Sequence, residues 1–153
     1  MIDSIIENID KLIIYGQSHV NTNENNKIKN LELLLVSIYK QIIELPDKFD
    51  KQADIECPKT DYDLIKKQVE NNFKGFGYYN VVFNGIENIK NPETVIGDSI
   101  DDLTDIIKDL IEAKWYFENS SLNDAIWQIK FKFESHTRHH ILGLLKYIHD
   151  TKK

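Results

Sequence analysis

The chain has little cysteine, arginine and proline, and it has no long hydrophobic run. Its 153 residues include one cysteine, Cys57, which excludes a disulfide framework and a thiolate metal cluster. No apolar segment approaches the roughly 20 residues that a membrane-spanning helix needs. The first residues, MIDSIIENIDKLIIYG, have no basic start and are interrupted by carboxylates, unlike a secretory signal. These features predict a cytoplasmic protein.

Positive charge is the scarcer sign in this chain. There are 19 lysines and arginines against 25 aspartates and glutamates, which gives a formal net charge of −6. An acidic balance argues against binding to nucleic acid or to an anionic membrane, because both carry the same sign of charge. It suits a basic protein partner or a divalent cation. The length and an ordinary hydrophobic content predict one globular domain over residues 1–153.

Apolar residues recur at helical spacing through most of the chain. This pattern predicts N-terminal helices over residues 2–16 and 27–45, with an asparagine-rich loop between them. Residues 47–59 carry charges without a clear period and are predicted to form an exposed connection. Asp61 is a suitable N-cap for a third helix.

The segment over residues 75–96 is ambiguous between strand and loop. Its tyrosines and valines favour a strand, but no partner strand is evident elsewhere in the sequence. We therefore predict an aromatic-rich loop or short helix packed on the bundle. The predicted fold class is all-α, a compact bundle of five or six helices with the C-terminal helix at its centre.

A dense row of carboxylates follows Gly97. If this segment is helical, its acidic residues lie on one face and its isoleucines and leucines on the other. The six carboxylates are those of Asp98, Asp101, Asp102, Asp105, Asp109 and Glu112. Like charges at i,i+4 repel by a few tenths of a kcal/mol per pair. The row is therefore either a solvated face or a site for a cation or a basic partner, and four residues are candidates for partner binding: Asp102, Asp105, Asp109 and Glu112.

The last predicted helix begins at Ser121 and has an unusually wide apolar arc, typical of a central helix. His136 and His140 lie within that arc, one turn apart and on the same face. Two imidazoles at i,i+4 are a known spacing for metal ligands. With the acidic helix alongside, they predict a site for manganese, iron or zinc. The candidate ligands are Asp98, Asp101, Asp102, Asp105, His136 and His140.

Two other interpretations of the histidine pair remain open. The imidazoles could be core side chains whose hydrogen bonds are satisfied by aspartate, tyrosine or backbone groups. A carboxylate and a histidine could also act as general base and its orienting group without a metal. No nucleophile elbow, Walker A loop or dinucleotide fingerprint accompanies them. Trp115 and Trp127 are predicted to be core or rim aromatics, and Arg138 to form a surface ion pair.

Several segments resemble a bacterial family known as domain of unknown function 5063. The resemblance spans roughly residues 60–150 and rests on four groups of residues. They are Phe76 to Val82, Gly97 to Ile106, Trp115 with Asp124, Ala125, Trp127, Phe131 and Phe133, and the pair His136 and His140. Thr137 and Arg138 stand where a Trp-Gly pair is common in that family. The resemblance implies a small, mainly helical bacterial protein and no established activity.

The sequence leaves three functional hypotheses. The first is a non-enzymatic module that docks a basic partner, as toxin-neutralising immunity proteins do, with charge complementarity speeding the association. The second is a divalent-metal-dependent hydrolase acting on phosphate esters or nucleotides through the aspartates and histidines. The third is a structural or regulatory domain whose acidic row has no chemical role.

Overall fold

Six α-helices and one β-hairpin form the fold over residues 1–152, the part of the chain that this computed structural model describes. The helices are α1 (Ile2–Ile13), α2 (Glu24–Glu44), α3 (Tyr62–Asn72), α4 (Ser99–Asn119), α5 (Leu122–Lys132) and α6 (Arg138–Thr151). The strands are β1 (Tyr78–Phe83) and β2 (Glu93–Asp98). A 3-10 turn at Ile14–Gly16 extends α1, and a π-helical turn at Phe133–Thr137 joins α5 to α6 in one rod. The predicted number of helices is confirmed.

Side-chain caps fix where four of the helices begin. Asp61, Asp98 and Ser121 accept hydrogen bonds from backbone N–H groups in the first turns of α3, α4 and α5, as predicted. Asn23 caps α2 in the same way, through the N–H of Asn26. The second helix therefore begins three residues earlier than the predicted start at residue 27.

The centre of the bundle is α4, and the prediction of a central C-terminal helix is wrong. Helix α4 packs against α1, α3, α5 and α6, whereas α6 packs mainly against α4 and α2. Neighbouring helices cover both faces of α4. The acidic face can be covered because its carboxylates pair with residues of the C-terminal rod and do not need water as a partner. Its apolar face joins the main core, which α1, α2, α3 and the C-terminal rod complete.

The predicted helical bundle is confirmed, but the fold is not strictly all-α, because residues 75–96 contribute to an antiparallel hairpin. Strand β1 pairs with β2 in a register that places Tyr79 opposite Gly97 and Val81 opposite Val95. The partner strand was missed because only Thr94, Val95 and Ile96 in it favour a strand. Between the strands, Asn84 adopts a left-handed conformation with φ of 54°.

The hairpin is largely exposed instead of packed on the bundle as predicted. Tyr78 and Ile96 are each 76% exposed, and Ile86 in the connecting turn is 91% exposed. Tyr79, on the opposite face of β1 from Tyr78, is the strand residue that packs against the core. Over the described residues, no helix has the length and apolar character needed to cross a membrane.

Asn72 holds the loop between α1 and α2 against the end of α3. Its amide nitrogen donates to the carbonyls of Tyr15 and Ser18, each at 2.8 Å, and its amide oxygen accepts from the N–H of Val20 at 2.8 Å. The residue is 2% exposed, its bond to the Tyr15 carbonyl is buried, and its bonds to Ser18 and Val20 are partly buried, so Tyr15 in particular has no water as an alternative partner. One side chain thus satisfies three backbone groups of a single loop.

We expect Asn72→Ala to lower the free energy of unfolding by about 3 kcal/mol, since each buried polar group left unpaired costs about 1–3 kcal/mol. Urea unfolding followed by circular dichroism measures the change. Asn71→Ala is the matched control, because Asn71 is exposed in the same helical turn. A loss below 1 kcal/mol for Asn72→Ala would contradict this account of the loop.

Candidate metal centre

The site lies where the acidic face of α4 meets the C-terminal rod. Asp102, Asp105 and Asp109 are spaced by three and four residues and project toward that rod from successive turns of α4. His136 and His140 project back from the rod with the same one-turn spacing. The two helices pack closely against each other, which brings these five side chains together.

Each histidine is held by a carboxylate at its Nδ1 atom. His136 Nδ1 lies 2.7 Å from Asp109 Oδ2, and His140 Nδ1 lies 2.7 Å from Asp102 Oδ1. As carboxylates, Asp102 and Asp109 can only accept hydrogen bonds, so the Nδ1 atoms of both rings must carry a hydrogen. The tautomer of each neutral ring is thereby fixed, with an unprotonated Nε2.

The two Nε2 atoms face each other. They lie 3.1 Å apart, which is hydrogen-bonding distance. Because both Nδ1 atoms donate to aspartates, two neutral rings would place two lone pairs in contact with nothing between them. A cation shared by the two nitrogens would satisfy this contact, for example a proton that makes one ring an imidazolium.

Asp105 supplies a third donor beside the histidine pair. Its Oδ2 atom lies 3.6 Å from His140 Nε2, and one donor atom from each of Asp105, His136 and His140 lies within 4.8 Å of the others. Burial raises the pKa of Asp105; the two histidines oppose that rise, and the nearby charges of Asp109 and Asp101 add to it. Within residues 1–152, the Asp105 carboxylate forms no hydrogen bond, and the ring of His140 is its nearest charged partner.

The protonated form of His140 is favoured by its surroundings. Burial alone would lower the pKa of this imidazole, but the hydrogen bond that it donates to Asp102 and the charges of Asp105, Asp102 and Asp109 raise it above its usual value of 6.5. The site therefore attracts positive charge. The same carboxylates would attract a metal cation.

The π-helical turn positions Thr137 as an additional partner for Asp109. Thr137 is 2% exposed, and its Oγ1 atom donates to Asp109 Oδ2 at 2.7 Å, the oxygen that also holds His136. The last predicted helix, which begins at Ser121, is therefore interrupted at Phe133–Thr137, the segment that carries His136. Such turns frequently occur at functional sites. The sequence pattern gave no signal for it.

Tyr79 from the hairpin completes the surroundings of Asp102. Its hydroxyl donates a hydrogen bond to Asp102 Oδ2, so both oxygens of that carboxylate are occupied. Burial and this hydrogen bond raise the pKa of Tyr79, which keeps the phenol protonated as a donor. Tyr79 and Thr137 were not predicted as site residues, because their contacts depend on how distant segments pack.

The other predicted carboxylates have different roles. Asp98 accepts from the backbone N–H of Ile100 at 2.9 Å as the cap of α4. Asp101 pairs with Lys66 at 2.8 Å and accepts from Tyr62 at 3.1 Å. Neither belongs to the group of three donors. Asp102, also a predicted ligand, holds a ligand histidine instead of facing the shared position.

Half of the predicted partner-binding face is buried. Asp102 is 8% exposed and Asp109 is 3% exposed, and both are engaged by histidines, which corrects the expectation of an open acidic stripe. Asp105 and Glu112 are partly exposed. Glu112 pairs with Lys108 at 3.0 Å and with Lys132 at 3.3 Å, so its charge is already compensated.

A small polar cavity of about 270 Å³ adjoins Asp109. Glu112, Lys132, Tyr116 and Cys57 are among the residues that line it. Burial raises the pKa of the Cys57 thiol, so this cysteine is not an activated thiolate.

The remaining aromatic and basic predictions can also be located. Trp127 is half-buried and stacks on Phe131, and Trp115 is half-buried against Tyr116, which makes both rim aromatics as predicted. Arg138 pairs with Glu134 at 3.1 Å, which confirms the predicted ion pair, and it also donates to the Tyr39 hydroxyl at 2.9 Å.

The family is settled by a match to its sequence model. The model named Domain of unknown function (DUF5063) matches residues 6–153. The chain belongs to this family. The match extends well beyond the resemblance over residues 60–150, so the N-terminal helices are part of the DUF5063 domain and not an addition to it.

A solved structure shows a similar arrangement of elements in another protein. The chain is similar to protein BF1032 from Bacteroides fragilis, with a TM-score of 0.72 and 14% sequence identity. The similarity covers 97% of this chain and 90% of that one. At this identity it shows a shared fold. No curated protein matches the chain.

Proposed function

We propose that this DUF5063 protein is a divalent-metal-dependent hydrolase whose metal is bound by Asp105, His136 and His140. The observation that carries the proposal is the pair of Nε2 atoms 3.1 Å apart, each on a ring whose Nδ1 is held by a carboxylate. Metal-bound histidines almost always donate their other N–H to such a partner. A proton alone explains the contact between the rings, but it gives no role to Asp105 beside them.

The spacing of the donors indicates which metals fit. Two nitrogens 3.1 Å apart, each about 2.1 Å from a common ion, subtend an angle of about 95° at it. An angle near 90° suits six-coordinate manganese or iron better than tetrahedral zinc. Two imidazoles and one carboxylate with open positions also form the donor set of non-haem iron and related sites.

The chemistry follows from the number of protein ligands. Three ligands leave positions for water and substrate, and a bound cation lowers the pKa of its water toward neutrality. Lys108 in α4 and Lys132 in α5 lie close to Asp109, and both pair with the single carboxylate of Glu112, so together they bring one more positive charge than Glu112 neutralises. A phosphate ester is therefore the substrate class that we propose, with metal-bound hydroxide as the nucleophile.

Metal content and hydrolysis together test this function. We expect the purified protein, after dialysis, to retain about one equivalent of manganese or iron by mass spectrometry of the metals. With that metal it should hydrolyse p-nitrophenyl phosphate or bis(p-nitrophenyl) phosphate, and excess chelator should stop the reaction. Protein that retains no divalent metal at micromolar concentrations would rule the proposal out.

Docking of a basic protein, in the manner of immunity proteins, is the second candidate. The net charge of −6 favours it, and Asp105 and Glu112 keep some exposure. The burial of Asp102 and Asp109 removes half of the residues on which the docking hypothesis depended. A metal-free protein that co-purifies with a basic partner, and loses it on Asp105→Asn substitution, would favour docking. A cytoplasmic location remains our expectation for either function.

A further inference from the structure

The hairpin reaches the candidate metal centre through one side chain. Tyr79 in β1 donates its hydroxyl hydrogen to Asp102, and Asp102 in turn holds His140 at 2.7 Å. Tyr79, Asp102 and His140 are thus connected by hydrogen bonds from the hairpin to the His140 ring, whose Nε2 atom faces that of His136. The neighbouring strand residue Tyr78 points the other way and is 76% exposed.

Two glycines leave the space that Tyr79 occupies. A methyl group on Gly97, across the strand pair, would lie 2.6 Å from the Tyr79 ring. A methyl group on Gly143, in the middle of α6, would lie 2.5 Å from the Tyr79 hydroxyl and 3.7 Å from Asp102 Oδ2. Real Cβ contacts are not this short, so both positions require glycine for Tyr79 to reach Asp102. A glycine inside a helix costs stability, which indicates a specific reason for it at 143.

The hairpin has few other attachments to the bundle. At its base, Gly77 N–H donates to the Tyr147 hydroxyl at 2.8 Å, and Ser99 Oγ donates to the Gly77 carbonyl at 2.7 Å. Beyond Tyr79 the strands and their turn are mostly exposed, and a two-stranded ribbon alone is only marginally stable. The contact of Tyr79 is therefore the main tie between the strands and the site.

We propose that the hairpin regulates the metal centre through Tyr79, so that hairpin placement and metal affinity are coupled. This inference rests on the proposed function. Tyr79 acts as a positioning residue: it orients Asp102, which orients His140. Because coupling between two equilibria is reciprocal, metal binding should also hold the hairpin against α6. Displacement of the hairpin should weaken the site.

Manganese titration by calorimetry at pH 7.5 tests the first half of the proposal. We expect Tyr79→Phe to weaken the affinity of the chain for Mn²⁺ by up to about 10-fold, the lower end of the loss for a direct partner of a ligand, because Tyr79 acts on His140 through Asp102. Tyr78→Phe is the matched control and should leave the affinity unchanged. Gly143→Ala should weaken binding like Tyr79→Phe, although alanine is the better helix former and generic destabilisation would not explain the loss.

Hydrogen exchange tests the reciprocal half. Saturating Mn²⁺ should slow amide exchange in residues 78–83 and 93–98 of the unaltered chain, and this protection should be lost in Tyr79→Phe. Equal Mn²⁺ affinity for Tyr79→Phe and the unaltered chain, or equal protection in both, would overturn the coupling.

A metal-free readout separates this inference from the proposed function. If the unaltered chain binds no metal, the function fails, but the Tyr79–Asp102–His140 connection can still be measured by the ¹⁵N chemical shifts of the His140 ring. Tyr79→Phe should then shift the His140 ring nitrogens, with those of His139 unchanged. Unaltered His140 shifts in Tyr79→Phe would contradict the inference whether or not a metal binds.

Discussion

Replacing His140 with alanine should abolish metal binding at micromolar concentrations, and His136→Ala should do the same. Each substitution removes one of three donors and leaves an aspartate, Asp102 or Asp109, without its histidine. Removal of an outer-shell partner lowers metal affinity by about 10–100-fold. We expect the loss of a ligand to lower it by more than this. Metal analysis after dialysis and calorimetric titration with Mn²⁺ measure the change.

His139→Ala is the control for this experiment. His139 is an exposed neighbour of His140 in the same helix, and its ring is not among the three donors. It should keep full metal content and hydrolytic activity. If His139→Ala loses as much metal as His140→Ala, the binding would be nonspecific and the assignment of the site would fail.

Asp102→Asn and Asp105→Asn separate the two roles of the carboxylates. Asp102 orients His140 and lies on the far side of that ring from the shared position, so its amide should weaken binding less than the loss of a ligand. Asp105 faces the shared position. Its amide replaces a charged donor with a neutral one, and we expect the larger loss of Mn²⁺ affinity from Asp105→Asn.

The helices were predictable because their signals are local. The caps at Asp61, Asp98 and Ser121 act within one turn of the residues they precede, and the apolar period needs no knowledge of the partner helix. The pairing of His136 and His140 on one face is equally local, since it follows from a spacing of four. For these features, sequence and structure agree.

The contacts around the histidines depend on tertiary packing. The pattern placed the carboxylates of α4 on one face, but it could not show that Asp102 and Asp109 would each meet a histidine while Asp101 meets Lys66. The acidic row was therefore interpreted as a solvated face or a binding site, although two of its six residues, Asp102 and Asp109, are buried. Which helix is central depends on the same pairing, because α4 can be covered on both faces only when its carboxylates are satisfied.

The hairpin and the π-helical turn were missed for different reasons. The hairpin is mostly exposed, so its strands show no clear alternation of apolar and polar residues, and the strand propensities of Tyr78 to Phe83 and of Thr94 to Ile96 were the only signals. The π-helical turn adds one residue per turn at Phe133–Thr137, a change that hydrophobic spacing does not resolve. Both features contribute to the site, through Tyr79 and Thr137.

The pH dependence of stability should change sign when metal is added. Without metal, the folded state raises the pKa of His140 above the value of about 6.5 that an unfolded histidine has. The folded state then binds the proton more tightly than the unfolded chain does. This contribution to stability is fully present below about pH 6.5 and is lost as the pH rises through the pKa of the folded state.

With metal, the proton between the rings competes with the ion. Binding requires the unprotonated Nε2 atoms and releases the shared proton, so the stabilisation by metal grows as the pH rises. At 1,000 times the dissociation constant, a bound ligand adds about 4.1 kcal/mol to the free energy of unfolding. For a chain of this size that corresponds to a rise in the melting temperature of about 8–16 °C.

Thermal unfolding at pH values from 6 to 8.5 measures how the melting temperature depends on pH, once with chelator and once with excess Mn²⁺. His140→Gln should flatten both curves, and the difference between it and the unaltered chain isolates this one group from the exposed histidines. If the melting temperature depended on pH in the same way with chelator and with Mn²⁺, the proton and the metal would not share a position. The argument from the facing Nε2 atoms would then fail.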